Sequence, residues 1–311
     1  MREILVEKID LSASRLKPYK GFIFLCGGPT DIRSPTPISI RDAIYRELAT
    51  DDEINRRIRI AEHYKDWSHD GIYRDLVSFE QHLAELSSVI VLVLESPGSI
   101  AELGLFSVID EFKKKLLIFI ETDHYRSTSF IKLGPIDYLE KFYDNAAECD
   151  RWMKLEGYHP AFDSNAAQAR QPDFAAAVRK RALQATPERH LDPTNWLDRA
   201  LLACDLLSLC SALTLRELRN LMDGLGCTRT ESEVRQLLFL LERVQLVAME
   251  PKGDQRFYAT IDPRQHVHLK FRDRYFDVMR FRSDVLSHYE KEDKKRFRAV
   301  QDVRRRHAVT S

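Results

Sequence analysis

The chain has 311 residues, with 48 Lys and Arg balanced by 48 Asp and Glu; 44% are hydrophobic and 31% charged. Such a length fits two domains of ordinary size, and the composition is that of a globular protein with enough chain for a real core. No run of eighteen apolar residues offers a membrane span, and MREILVEKIDLSAS lacks the apolar stretch of a secretion signal, so a cytoplasmic protein away from membranes is expected.

The zero net charge is the sum of unlike parts. Residues 263–311 hold fourteen Lys/Arg and seven Asp/Glu, a net of +7, which leaves −7 on the preceding 262 residues. A basic tail of this kind points to an acidic partner. Cys26, Cys149, Cys204, Cys210 and Cys227 form no CxxC pair and read as reduced thiols. His266-x-His268 lacks a nearby third ligand, so no metal is expected.

In chain order, Phe22-Ile-Phe-Leu-Cys26 is a continuous apolar run ending in Gly27-Gly28, the pattern of a buried parallel strand. Residues 38–49 and 54–64 predict helices parted by Asp51-Asp52-Glu53. Residues 76–86, apolar at 76, 79, 83 and 86, predict a helix leading into a second strand, Val89-Ile-Val-Leu-Val-Leu94. A helix over 101–112 then reaches a third strand, Leu116-Leu-Ile-Phe-Ile120. This alternation, with right-handed crossovers, predicts an α/β fold: a small doubly wound parallel sheet over residues 1–145.

Residues 146–212 predict a helical connector without strands, with helices over 165–183 and 196–213. Thr214-Leu-Arg-Glu217 and Thr230-Glu-Ser-Glu233 have capping-box spacing, each opening an amphipathic helix. Leu246-Val-Ala-Met249 and Arg256-Phe-Tyr-Ala-Thr260 then flank a turn at 250–254. Two helices and a ribbon predict a winged helix-turn-helix over 213–262. A basic helical tail follows over 263–311.

The segment Glu95-Ser-Pro-Gly-Ser-Ile-Ala-Glu102 lies where a predicted parallel strand ends and a helix opens. Open α/β sheets bind ligands at that edge, and helix N–H groups there attract anions. Gly98 lets the backbone approach a ligand, Ser99 caps the helix, and Glu102 sits a turn further in. The spacing Ser99-x-x-Glu102 is equally that of a structural capping box. Cys26-Gly27-Gly28 ends at the same sheet edge, and Glu80 interrupts an otherwise apolar helix face. Two carboxylates and two glycine turns at one crevice suit sugar chemistry: one acid attacks or stabilises an anomeric carbon while others hold ribose hydroxyls. Asp31, Arg33 and the stretch His69-Asp70-Gly71-Ile-Tyr73 read either as solvated loops or as further lining of that crevice.

The run FIFLCGG (22–28), together with LSSVIVLVLESPGSIAELGLFS (86–107), resembles nucleoside 2-deoxyribosyltransferase-like domains. More closely, it is similar to the effector proteins encoded beside retron reverse transcriptases, as is STSFIKLGPI (127–136). The resemblance implies that Glu102 is the nucleophile, that Ser96, Gly98 and Ser99 form the substrate-binding turn, and that Cys26, Gly27 and Gly28 form the first-strand turn. Glu80 stands where such transferases usually carry an Asp on the ligand, and Glu95-Ser96 where they tend to carry another; both departures leave a deoxyribose preference open. The resemblance also implies a toxic effector of anti-phage defence, restrained by the reverse transcriptase and its msDNA and assembling with further copies of itself. Within that role the candidate substrate is NAD, whose cationic nicotinamide leaves more readily than a neutral base, and no cofactor is expected. Two alternatives stay open: base exchange between free nucleosides, and a non-enzymatic regulator that senses a nucleotide.

Arg229, Arg235 and Arg243, on or beside the second winged-helix helix, are diluted by Glu231, Glu233 and Glu242. That mixture favours contact with protein or nucleic-acid backbone over reading of bases. In the tail, basic residues from Arg272 to Arg306 interleave with Phe271, Tyr275, Phe276, Phe281, Tyr289 and Phe297. They suit phosphate contact with base stacking, or equally a helix that packs its aromatics inward.

Overall fold

The computed structural model describes residues 4–64, 71–184, 186–227, 230–261 and 264–307; His69, Asp70 and Arg229 lie outside them. The chain divides into two compact units, one of residues 20–65 and 77–186, the other of 1–19, 66–76 and 187–311.

The first unit is built on a parallel sheet of five strands in the order Ile58–Arg59, Phe22–Cys26, Ser87–Val93, Leu116–Glu121, Glu148–Asp150. Its three central strands are the apolar runs read from the sequence, buried almost throughout. Alternation along each strand sorts the two faces. Ile23, Leu25, Val89, Val91, Leu117 and Phe119 pack with Ile40, Ala43 and Ile44 of the helix Ile40–Leu48 and with Phe174 and Val178 of the helix Ser164–Ala182. Phe24 turns the other way, onto Phe106 of the helix Pro97–Phe106, with ring centroids 6.2 Å apart. Cys26, two residues on, shares the face of Phe24.

Several expected elements differ. Residues 54–64 are not one helix: a turn at Asp52–Asn55 gives way to the edge strand Ile58–Arg59 and a short 3-10 turn, Ala61–Tyr64. The reason is period two: Ile58 and Ile60 are buried, while the Arg59 guanidinium lies 4.1 Å from the centre of the Phe22 ring. The helix expected over 101–112 is two helices, Pro97–Phe106 and Asp110–Lys113. The stretch 146–212 does contain strands. Glu148–Asp150 completes the parallel sheet, and Met153–Glu156 pairs with His159–Phe162 in a hairpin turned at Gly157, whose φ is +64°. These strands are short and largely exposed, so no apolar alternation marks them. The sheet unit therefore runs past residue 145, and Phe174 meets Phe119 edge-on at 5.6 Å.

In the second unit Ile9–Leu16 lies between Val267–Phe271 and Arg189–His190 in an antiparallel sheet. Residues 267–271, expected to be helical, form a strand because Val267, Leu269 and Phe271 alternate with the exposed His268 and Lys270. The helices Trp196–Leu209, Leu215–Gly224 and Glu231–Arg243 precede a hairpin, Val247–Lys252 with Gln255–Thr260, turned at Gly253 (φ +66°). Thr214 and Thr230 both form the reciprocal bonds of a capping box with Glu217 and Glu233. The helices Val278–Glu292 and Lys294–His307 follow, and Ala299, Val300 and Val303 pack on Phe257 and Ala259 of the hairpin. No helix among the described residues is long and apolar enough to cross a membrane.

Candidate active site

Two helices bring acids to the Cys26 side of the parallel sheet. In Pro97–Phe106 the N-cap is Ser96, not Ser99: the Ser99 amide donates to the Ser96 hydroxyl and the Ser96 amide to the Ser99 hydroxyl, both at 3.2 Å. Pro97 supplies the first helical residue at no cost in hydrogen bonds. The box thus closes without Glu102, which lies three residues beyond Ser99 on the buried stripe of Ser99, Leu103 and Phe106. The Ser96 hydroxyl also donates to the Gly27 carbonyl at 3.3 Å, tying the strand turn to the helix start. In the helix Leu76–Glu85, Glu80 is half-buried between Phe79 and Leu83 of the apolar stripe.

Burial raises the Glu80 carboxyl to about 7, and the charges of Glu102 and Glu62 add to the rise. Burial also raises Glu102, opposed by a hydrogen bond from the Cys26 thiol and by the charge of Arg41, while Glu62 pushes it further up. The thiol, wholly buried and facing Glu102 and Glu80, is itself pushed well up and stays protonated. Glu102 Oε2 is buried with no hydrogen-bond partner among the described residues. A buried acceptor of that kind is costly unless a ligand's donor meets it.

Arg41, only 4% exposed, completes the cluster. Its two terminal nitrogens donate to the Glu62 carboxylate at 2.9 and 3.1 Å, and its Nε is buried without a partner among the described residues. The helix bearing Arg41 is anchored by Glu95, whose carboxylate accepts the amides of Gly28, Ile40 and Arg41 at 2.8–3.0 Å. That anchor explains the glycines. A Cβ on Gly28 would lie 2.9 Å from Glu95 Oε1, and one on Gly27 would lie 2.9 Å from the Arg41 Cβ. Gly98 is different: the nearest atom to its added Cβ is 3.8 Å away.

Cys26, Glu80 and Glu102 therefore meet in one cluster, framed by Ser96, Ser99, Gly27 and Gly28. Arg41 and Glu62 were not visible from the sequence: Glu62 fell in a stretch read as helix, and Arg41 carries no local mark. Asp31 is spent on its own loop, its carboxylate accepting the Arg33 amide at 3.0 Å, and Arg33 is exposed. Tyr73 is a core residue of the second unit, 6.0 Å from Phe239 ring to ring.

A family model described as STM3845 retron effector protein matches residues 37–249, a span that includes Arg41, Glu62, Glu80, Glu95 and Glu102. The chain belongs to the STM3845 retron effector family. This retron effector is 24% identical over 221 residues to an Escherichia coli protein named "Retron Ec73 putative ribosyltransferase/DNA-binding protein", covering 64% of the present chain and 65% of that one. It is 43% identical over 67 residues to the Escherichia coli "Retron Ec86 putative ribosyltransferase/DNA-binding protein", 22% of each chain. The retron effector thus spans somewhat less than two thirds of the first relative's length, and far less of the second's.

Proposed function

We propose that this retron effector cleaves the N-glycosidic bond of a nucleotide, with NAD as substrate and Glu102 as nucleophile, and that a complex of reverse transcriptase and msDNA restrains it. The observation that carries the reading is the buried Glu102 Oε2, unpartnered among the described residues, beside Glu80, Cys26 and Arg41 at the carboxyl end of a parallel sheet. The ribosyltransferase named in both relatives fits the same chemistry.

In the proposed reaction the Glu102 carboxylate approaches C1′ of the nicotinamide ribose as the carbon–nitrogen bond breaks, and nicotinamide departs as a neutral base with the bonding pair. Glu80, titrating near neutrality, holds a ribose hydroxyl and takes the proton of the water that releases ADP-ribose. The exposed Gly98 and the amides at the start of its helix receive the diphosphate. The helices Leu215–Gly224 and Glu231–Arg243 with their hairpin are read as a winged helix, matching the DNA-binding label of the relatives.

The test incubates purified protein with NAD and, separately, with deoxynucleosides. Release of free nicotinamide by the wild type, lost in Glu102→Gln, is expected. Base exchange on deoxynucleosides without nicotinamide release would overturn the NAD reading in favour of a nucleoside transferase.

A further inference from the structure

The second unit holds a cavity of about 100 Å³ over Ala259, Val300 and Val303, and its walls include Ser208, Ser211, Thr260, Arg282 and Arg304. Arg282 and Arg304 make no hydrogen bond or ion pair among the described residues. Their basic neighbours do: Lys252 bonds Glu250 and Asp302, Lys295 bonds Asp254, Arg305 bonds Asp302 and Arg306 bonds Glu250. Acids close to them in sequence or in the adjoining cleft have other partners. Asp302 serves Lys252 and Arg305, and Asp284 lies 3.9 Å from Arg280. Asp205, in an adjoining cleft that shares Ser208 and Arg282, accepts the amides of His266 at 3.0 Å and Val267 at 2.8 Å.

Half-buried Arg282 and exposed Arg304 thus line one small cavity together with three hydroxyl side chains, and no carboxylate is among its lining residues. Like charges so arranged repel unless an anion sits between them, and planar guanidinium forks with hydroxyl donors match the oxygens of a phosphate. The size narrows the ligand. Pockets that enclose a nucleoside-sized molecule run to roughly 300–1,000 Å³, so a cavity of about 100 Å³ takes a phosphate group whose remainder lies outside.

We infer that Arg282 and Arg304 form a seat for a backbone phosphate of a nucleic-acid strand. The seat belongs to the unit without Glu102, and its test has no chemical readout, so it stands or falls apart from the glycosidase reading.

The experiment measures binding of the full chain to a short single-stranded oligonucleotide across a salt series. Each phosphate contact contributes about 0.7 to the slope of log affinity against log salt for single strands. Arg282→Gln and Arg304→Gln should each flatten that slope, and the two together by about 0.7 for the one phosphate they share, while Arg305→Gln, already paired with Asp302, should leave it unchanged. The double variant Arg282→Lys/Arg304→Lys should restore most of the slope, with thermal unfolding confirming that all variants fold. Equal flattening in Arg305→Gln, or none in the Arg282 and Arg304 variants, would overturn the proposal. So would a free mononucleotide or inorganic phosphate that competes as well, molecule for molecule, as the oligonucleotide.

Discussion

Replacing Glu80 by Gln probes the acid cluster without chemistry. The Glu80 carboxyl moves from an ordinary 4.5 to about 7 on folding, first through burial and then through the charges of Glu102 and Glu62. At about 1.4 kcal/mol per pH unit, that displacement corresponds to about 3 kcal/mol. Between the two values the folded protein holds a proton that the unfolded chain has lost, so the stabilisation is complete below 4.5 and fades as pH rises through 7. Wild type should therefore lose up to about 3 kcal/mol between pH about 4 and about 8 that Glu80→Gln does not lose. Urea unfolding of both proteins across that range reads the difference directly. Parallel stability curves would refute the argument, because they would mean that Glu80 titrates as a solvated carboxyl and no buried acid cluster exists. In Glu102→Gln the same wild-type slope should shrink but persist, since burial is the larger cause.

Further outcomes follow from individual contacts. Gly28→Ala forces a Cβ to within 2.9 Å of Glu95 Oε1 and should cost roughly 1–3 kcal/mol in unfolding experiments, whereas Gly98→Ala meets nothing closer than 3.8 Å and should fold as well as wild type. If the diphosphate rests at the start of that helix, Gly98→Ala should nonetheless raise KM; an unchanged KM would remove Gly98 from the site. Arg41→Met removes a positive charge that lowers Glu102, so the acid limb of the pH–activity profile should move to higher pH, and an unmoved limb would separate Arg41 from the nucleophile. Arg296→Met strips Glu217 and Asp293 of a guanidinium that is only 4% exposed and should cost about 3–5 kcal/mol in denaturant melts, with little effect on nucleic-acid binding.

The parallel sheet was legible because FIFLC, VIVLVL and LLIFI are continuous apolar runs, the pattern that burial on both faces demands. The edge strands were not. Ile58–Arg59 is two residues long, and Glu148–Asp150 is polar and exposed, so only their partners' unpaired backbone dictates them. The capping boxes at Thr214 and Thr230 were legible because a cap is a local event. The same logic misled at Ser99, where Ser96 and Pro97 make a better start and release Glu102 from capping. Glu80, Glu102 and Cys26 could be grouped because Cys26 ends a recognisable strand, Glu102 sits a turn into the helix that follows another, and Glu80 interrupts an otherwise apolar helix face. Arg41 and Glu62 could not, since their pairing depends on Glu95 drawing the start of the helix Ile40–Leu48 to the Gly28 turn. The basic tail was legible as charge but not as parts: Arg296 is buried in an ion-pair network, whereas Arg282 and Arg304 remain available.

The central claim is that Glu102 carries out N-glycosidic chemistry on a nucleotide. It is tested most directly by following free nicotinamide when wild type and Glu102→Gln, matched in fold by thermal unfolding, are incubated with NAD. The account predicts release by the wild type and a loss of at least about a thousandfold in the variant, the scale of removing a group that acts only in the transition state. Equal release by both proteins would contradict it.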